Sequence, residues 1–87
     1  MTKYRIWLSR QAQKDLFKLD RNIRNRILVS ISDLSIDRHP RQFKPLVGRD
    51  IAQFRIRVGD FRILYDVYDK EKGVFILRIG HRKDIYR

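Results

Sequence analysis

Residues 3–8, KYRIWL, alternate polar and apolar, so Tyr4, Ile6 and Leu8 share one side and Lys3, Arg5 and Trp7 the other. Period two predicts a strand. Ser9 then offers an N-cap for a helix over residues 10–18, in which Ala12, Leu16 and Leu19 fall at i, i+4 and i+7 with Phe17 beside them. Asp20 is a second N-cap, and Ile23, Ile27, Ile31 and Leu34 recur at helical spacing to residue 36. Arg21, Arg24, Arg26 and Arg38 lie largely off that stripe. The short connection predicts an antiparallel helix hairpin.

Pro40 and Pro45 bracket a predicted loop, RQFKP. Beyond it, residues 52–58 and 61–68 alternate around Gly59-Asp60, and glycine in first place predicts a two-residue type II′ turn. That register sets Val58 against Phe61, Arg57 against Arg62, Ile56 against Ile63 and Arg55 against Leu64. Residues 74–79, VFILRI, are a last strand. Matching apolar neighbours sets Val67 against Phe75, Tyr65 against Leu77 and Ile63 against Ile79, through a loop at 69–73. The predicted fold is α+β, one domain over residues 1–87. It has an N-terminal strand, an antiparallel two-helix hairpin and a three-stranded antiparallel meander that completes a small sheet, with the helices on its apolar face.

The opposite face of the same sheet gathers Arg55, Arg57, Arg62 and Arg78, with Arg82 just past the last strand. A charge-rich face is usually a solvated one. Against that reading stand the use of arginine alone and the direct opposition of Arg57 and Arg62, since like charges facing across a hairpin destabilise it. Arginine suits bidentate phosphate contacts and keeps its charge near neutral pH. A phosphate between the two would turn repulsion into a clamp.

Composition points the same way. Lys and Arg number 21 against 10 Asp and Glu, for a net charge of +11 and a pI near 10.7, which puts phosphate-rich or acidic partners first. A chain this small buries only about 60–65 % of its unfolded surface, so any site is shallow. There is no cysteine, and His39 and His81 form no HxxxH or HExxH spacing, so neither metal nor cofactor is expected. Asp33 and Asp37 read as a solvated pair, and no GxGxxG, P-loop or Ser/His/Asp grouping is present. No apolar run reaches signal-peptide or membrane-span length, so the expectation is a soluble, cytoplasmic protein without a membrane partner.

The tail GHRKDIYR adds a histidine and a tyrosine. His81 offers an acid–base group of ordinary pKa about 6.5, although by parity it continues the Ile79 side, away from the arginines. Tyr86 is a base-stacking platform, a proton-transfer group or a lid on the core edge; residue type alone favours the lid. Metal-free phosphoryl transfer on RNA or DNA, by positioning and electrostatics, is the chemistry such a set can perform.

The order of elements and the segments YRIWLSRQAQKDLFKL, FRIRVGDFRILYDVYD and VFILRIGHRKDIYR resemble the RelE/ParE toxin superfamily of toxin–antitoxin systems, over essentially the whole chain and nearer RelE than ParE. The resemblance implies a ribosome-dependent endoribonuclease that cuts mRNA in the A site with the RNA's own 2′-hydroxyl. ParE-like toxins share the fold but inhibit DNA gyrase. By position, Arg62 and Arg82 would hold the scissile phosphate, Tyr86 would stack on or deprotonate the ribose, and Arg55 and Arg57 would stabilise the transition state. Lys44 joins Arg55, Arg57, Arg62, Arg78 and Arg82 as RNA-binding. The best-known RelE has lysines where Arg55 and Arg57 stand; arginine cannot shuttle a proton, so that task passes to Tyr86 or to His81, whose counterpart in related toxins is used. The implied partners are the ribosome, mRNA and a RelB-like antitoxin that wraps the basic site; operator DNA contact is the antitoxin's task.

Overall fold

The computed structural model describes residues 3–48 and 51–86. Its elements run β1 (Arg5–Leu8), α1 (Arg10–Phe17), α2 (Arg21–Leu34), β2 (Phe43–Pro45), β3 (Phe54–Val58), β4 (Phe61–Tyr68) and β5 (Gly73–His81). Both N-caps act as the sequence predicts. Ser9 Oγ accepts from Ala12 N–H at 2.9 Å, and Asp20 Oδ1 accepts from Ile23 N–H at 3.1 Å. Where α1 ends, Arg24 donates to the carbonyls of Leu16, Phe17 and Leu19, satisfying acceptors that a helix C-terminus leaves open.

The sheet has five strands in the order β1-β5-β4-β3-β2, mixed because β1 runs parallel to β5. One strand more than predicted is present, since part of RQFKP pairs with β3, Lys44 lying opposite Arg55. Proline is compatible with this edge position because its missing N–H need not face a neighbour. β3 begins at Phe54, two residues later than predicted. Toward β4, Gln53 bonds through side chains, its N–H donating to Asp66 Oδ1 at 2.8 Å and its Oε1 accepting from Val67 N–H at 2.9 Å, while its carbonyl accepts from Leu46 N–H at the end of β2.

The β3–β4 hairpin has the predicted register, with Arg57 opposite Arg62, and Gly59 at φ 60° makes the turn. The β4–β5 register differs. Ile63 pairs with Ile79 as expected, but Tyr65 pairs with Ile76 and Val67 with Val74, not with Leu77 and Phe75. Leu77 is the extra residue of a β-bulge. Matching apolar neighbours could not detect it, because both faces of VFILRI are apolar. The bulge lets Val74, Ile76 and Ile79 all reach the core, and the Leu77 carbonyl accepts from Ser9 Oγ at 2.8 Å.

The main core lies between the helices and the sheet, built from Ala12, Ile27, Ile31, Leu34, Ile56, Ile63, Tyr65, Val74, Ile76 and Ile79. Tyr65 is fully buried; its hydroxyl donates to the Arg38 carbonyl at 2.6 Å, and burial pushes its pKa well above the ordinary value. A second, smaller cluster of Ala52, Leu64 and Ile85 lies apart from it, with Leu46, Leu77 and Tyr86 packed around. Leu64 reaches it because it alternates with Ile63 and Tyr65 along β4. Among the described residues no helix is long and apolar enough to cross a membrane.

Asp15 is 9 % exposed and holds the edge of β5 beyond the end of β1. It accepts from Ile79 N–H at 2.9 Å, Arg78 Nε at 3.1 Å and Gln11 Nε2 at 2.9 Å. Removing it strands a sheet-edge amide and a half-exposed guanidinium. Asp15→Ala is expected to lower the unfolding free energy by about 2–3 kcal/mol, and Asp15→Asn, which can still accept from Ile79, by less. Urea unfolding of the two variants checks this.

Candidate nucleic-acid and catalytic site

Strand alternation places Arg55 and Arg57 on one side of β3 and Arg62 on the matching side of β4; pairing adds Lys44 beside Arg55 and Gly80 beside Arg62. An open recess of about 460 Å3 lies here, lined by Lys44, Pro45, Leu46, Val47, Arg55, Arg62 and Tyr86. Among the described residues its lining has three cations and no carboxylate.

Arg62 is the electrostatic centre. Its Nη1 donates to the carbonyls of Phe61 at 3.0 Å and Gly59 at 3.2 Å, which folds the guanidinium back against the hairpin turn. Burial chiefly, then Arg55 and Arg57, with a smaller part from Arg82, depress its pKa below the ordinary guanidinium value; Tyr86 opposes them. The side chain stays charged, since guanidinium pKa values start so high. The crowding concentrates positive potential here, and a bound anion relieves it. Arg55 is tethered more loosely, its Nη1 donating to the Gln42 carbonyl at 3.4 Å.

The C-terminal turn supplies Tyr86. Arg82 N–H donates to the Asp60 carbonyl at 2.8 Å, tying the turn to the hairpin tip, and its Nε lies 3.9 Å from Asp60 Oδ1 in an exposed ion pair of small energetic weight. Asp84 N–H and Ile85 N–H both donate to the His81 carbonyl. Ile85, 2 % exposed, then anchors the turn in the second apolar cluster, and Tyr86 packs on the same cluster while lining the recess. Gly80 makes room: a Cβ there would lie 3.0 Å from Ile85 Cδ1.

Of the residues singled out by sequence, Lys44, Arg55, Arg62 and Tyr86 converge on the recess. Arg57 and Arg82 do not line it but act on Arg62 through charge. Arg78 is at the other edge of the sheet, held by Asp15. His81 pairs across β4 with Phe61, its ring 5.6 Å from the Phe61 ring and its Nδ1 accepting from Lys83 N–H. The apolar side of the recess, Pro45, Leu46 and Val47, was not singled out. Its one signal is the pair Leu46-Val47 set between Pro45 and Gly48 and next to cations. Among the described residues no three His, Cys, Asp or Glu side chains come together as a metal site.

The family described as the ParE toxin of the type II toxin-antitoxin system parDE matches residues 6–86. The chain is 38 % identical to Toxin RelG of Mycobacterium tuberculosis over 88 residues, covering 97 % of each. In three dimensions it is similar to the toxin–antitoxin complex RelBE2 of the same organism, with 35 % identity, TM-score 0.81 and 97 % of each chain covered. It is also similar to the archaeal RelE–RelB complex of Pyrococcus horikoshii, with 31 % identity, TM-score 0.80 and 97 % and 99 % covered. The chain belongs to the RelE/ParE superfamily of toxins from type II toxin–antitoxin systems.

Proposed function

We propose that this toxin is a RelE-like, ribosome-dependent endoribonuclease that cuts mRNA in the A site without a metal ion and is neutralised by a RelB-like antitoxin. The observation that carries the reading is Arg62 at the centre of a like-charged recess that also holds Tyr86. In the reaction the RNA's 2′-oxygen attacks the adjoining phosphorus and the bond from phosphorus to the 5′-oxygen breaks. A 2′,3′-cyclic phosphate and a 5′-hydroxyl result, one proton leaving the 2′-hydroxyl and one reaching the 5′-oxygen. Arg62, with Arg55, Arg57 and Arg82 around it, stabilises the extra charge on the phosphoryl oxygens as the transition state forms. No arginine can move the proton. Tyr86 is the better placed group for the ribose, because it shares the recess with Arg62 while the His81 ring packs on Phe61.

Inducible expression followed by mapping of mRNA 5′ ends tests the whole reading. Cuts in phase with A-site codons are expected, in cells and in a purified ribosome assay. The description of the matching family favours a second reading, a gyrase inhibitor without nuclease activity. DNA breaks with unbroken messages would establish that instead. Within the nuclease, Tyr86→Phe is expected to slow single-turnover cleavage by about 10²-fold, as loss of a proton-transfer group does. An undiminished rate would leave Tyr86 only stacking. His81→Gln should keep the wild-type pH profile; a changed profile would return His81 to the mechanism.

The RelBE2 and Pyrococcus horikoshii neighbours are complexes with an antitoxin, which supports such a partner here. An acidic antitoxin segment has the charge to fill the recess in place of RNA. Either contact should weaken steeply as salt rises, because bound polyanions release counterions.

A further inference from the structure

The described lining of the recess combines cationic with apolar side chains. Lys44, Arg55 and Arg62 line it together with an apolar wall of Pro45, Leu46 and Val47, where the chain leaves β2. Leu46 is rooted in the second apolar cluster, and its N–H donates to the Gln53 carbonyl at 2.9 Å, so the wall is fixed to the sheet. Val47 projects from it, 88 % exposed, more than any other large hydrophobic residue described. The next residue, Gly48, turns at φ 75° with no atom within 4 Å of where a Cβ would lie. An apolar side chain held on a rigid base, uncovered, beside three cations is suited to a ligand that joins an anion to a flat apolar surface. Nucleotides are that class.

We infer that Pro45, Leu46 and Val47 form a nucleobase subsite, which takes the base next to the phosphate held by Arg62 and biases where the RNA is cut. The inference rests on the nuclease reading. A phosphate at Arg62 carries a base within one nucleotide's reach, and that base must lie against something. On the cationic side it would displace phosphate contacts; on the Val47 side it covers apolar surface that otherwise faces water. Preference among bases then follows from shape and polarity, since apolar side chains make no hydrogen bonds to a base edge.

The test compares wild type, Val47→Ala and Val47→Asn by mapping 5′ ends in cells and in a purified ribosome assay. So exposed a residue can be changed without disturbing folding. The base frequency at one position adjoining the cut is expected to shift about fivefold or more, because small changes in an apolar contact discriminate ligands on that scale. Cuts with unchanged base frequencies would overturn the subsite and leave the nuclease standing. Absence of cuts from wild type would overturn both. An unchanged pattern, with the variants needing more antitoxin for neutralisation, would assign the wall to a protein partner and likewise overturn the inference.

Discussion

Arg62→Ala should abolish growth arrest on induction and slow single-turnover cleavage by about 10²–10³-fold, the usual cost of removing one preorganised group that stabilises a transition-state anion. The loss should reside in the chemical step. In the resting protein Arg62 is held by two backbone carbonyls and crowded by Arg55, Arg57 and Arg82, so its potential is in place before substrate arrives. Removing it also relieves repulsion with Arg57 across the hairpin. The variant is therefore expected to be no less stable than wild type in urea. Lower activity with equal or greater stability is the signature of a group kept for function at a cost to the fold. Arg62→Lys separates charge from geometry: it preserves the charge but loses the planar fork, so a loss of about tenfold or more would assign part of the effect to bidentate contact. Full toxicity of Arg62→Ala would remove the ribonuclease assignment. An unfolded protein would remove the claim that the pair is there for chemistry.

The arginine face was legible in the sequence because a two-residue turn fixes register, and register with period two fixes which side chains meet. Arg57 and Arg62 follow from Gly59-Asp60 with no further information. The helices were legible for a similar reason, each opening on a capping side chain and carrying its own apolar stripe. What stayed hidden depends on contacts between distant segments. β2 is a strand only because β3 lies beside it, and the bulge at Leu77 exists because α1, β1 and β4 all constrain β5. Arg78 shows the consequence for the site. Alternation alone places it with the other arginines, but Asp15, 63 residues earlier, draws its guanidinium to the sheet edge. The apolar wall and the burial of Ile85 were likewise hidden, because a hydrophobic residue in a short polar tail carries no period to read.

Ile85→Ala should prove nearly as damaging as loss of Arg62, although Ile85 does not line the recess. It is 2 % exposed in the second cluster and sits between Arg82 and Tyr86 on a turn otherwise held by the His81 and Asp60 carbonyls. Truncating a buried isoleucine costs about 2–5 kcal/mol, and here most of that falls on the turn, which borders a cluster separate from the main core. A displacement of about 1 Å at a positioned group can cost 10²-fold in rate, so cleavage is expected to fall by that order while the α-helices and the main core persist by circular dichroism. To show that the effect acts through position, Gly80 provides a matched probe. A Cβ at residue 80 would meet Ile85 Cδ1 at 3.0 Å, and Ile85→Val deletes that atom. Gly80→Ala alone should lower cleavage, and Ile85→Val alone should lower stability by about 0.5–1.5 kcal/mol. The double variant should cleave faster than Gly80→Ala, because the second change restores the space that the first one took. Additive losses in the double variant would mean that the turn merely covers apolar surface, and that Tyr86 does not depend on it for its place beside Arg62.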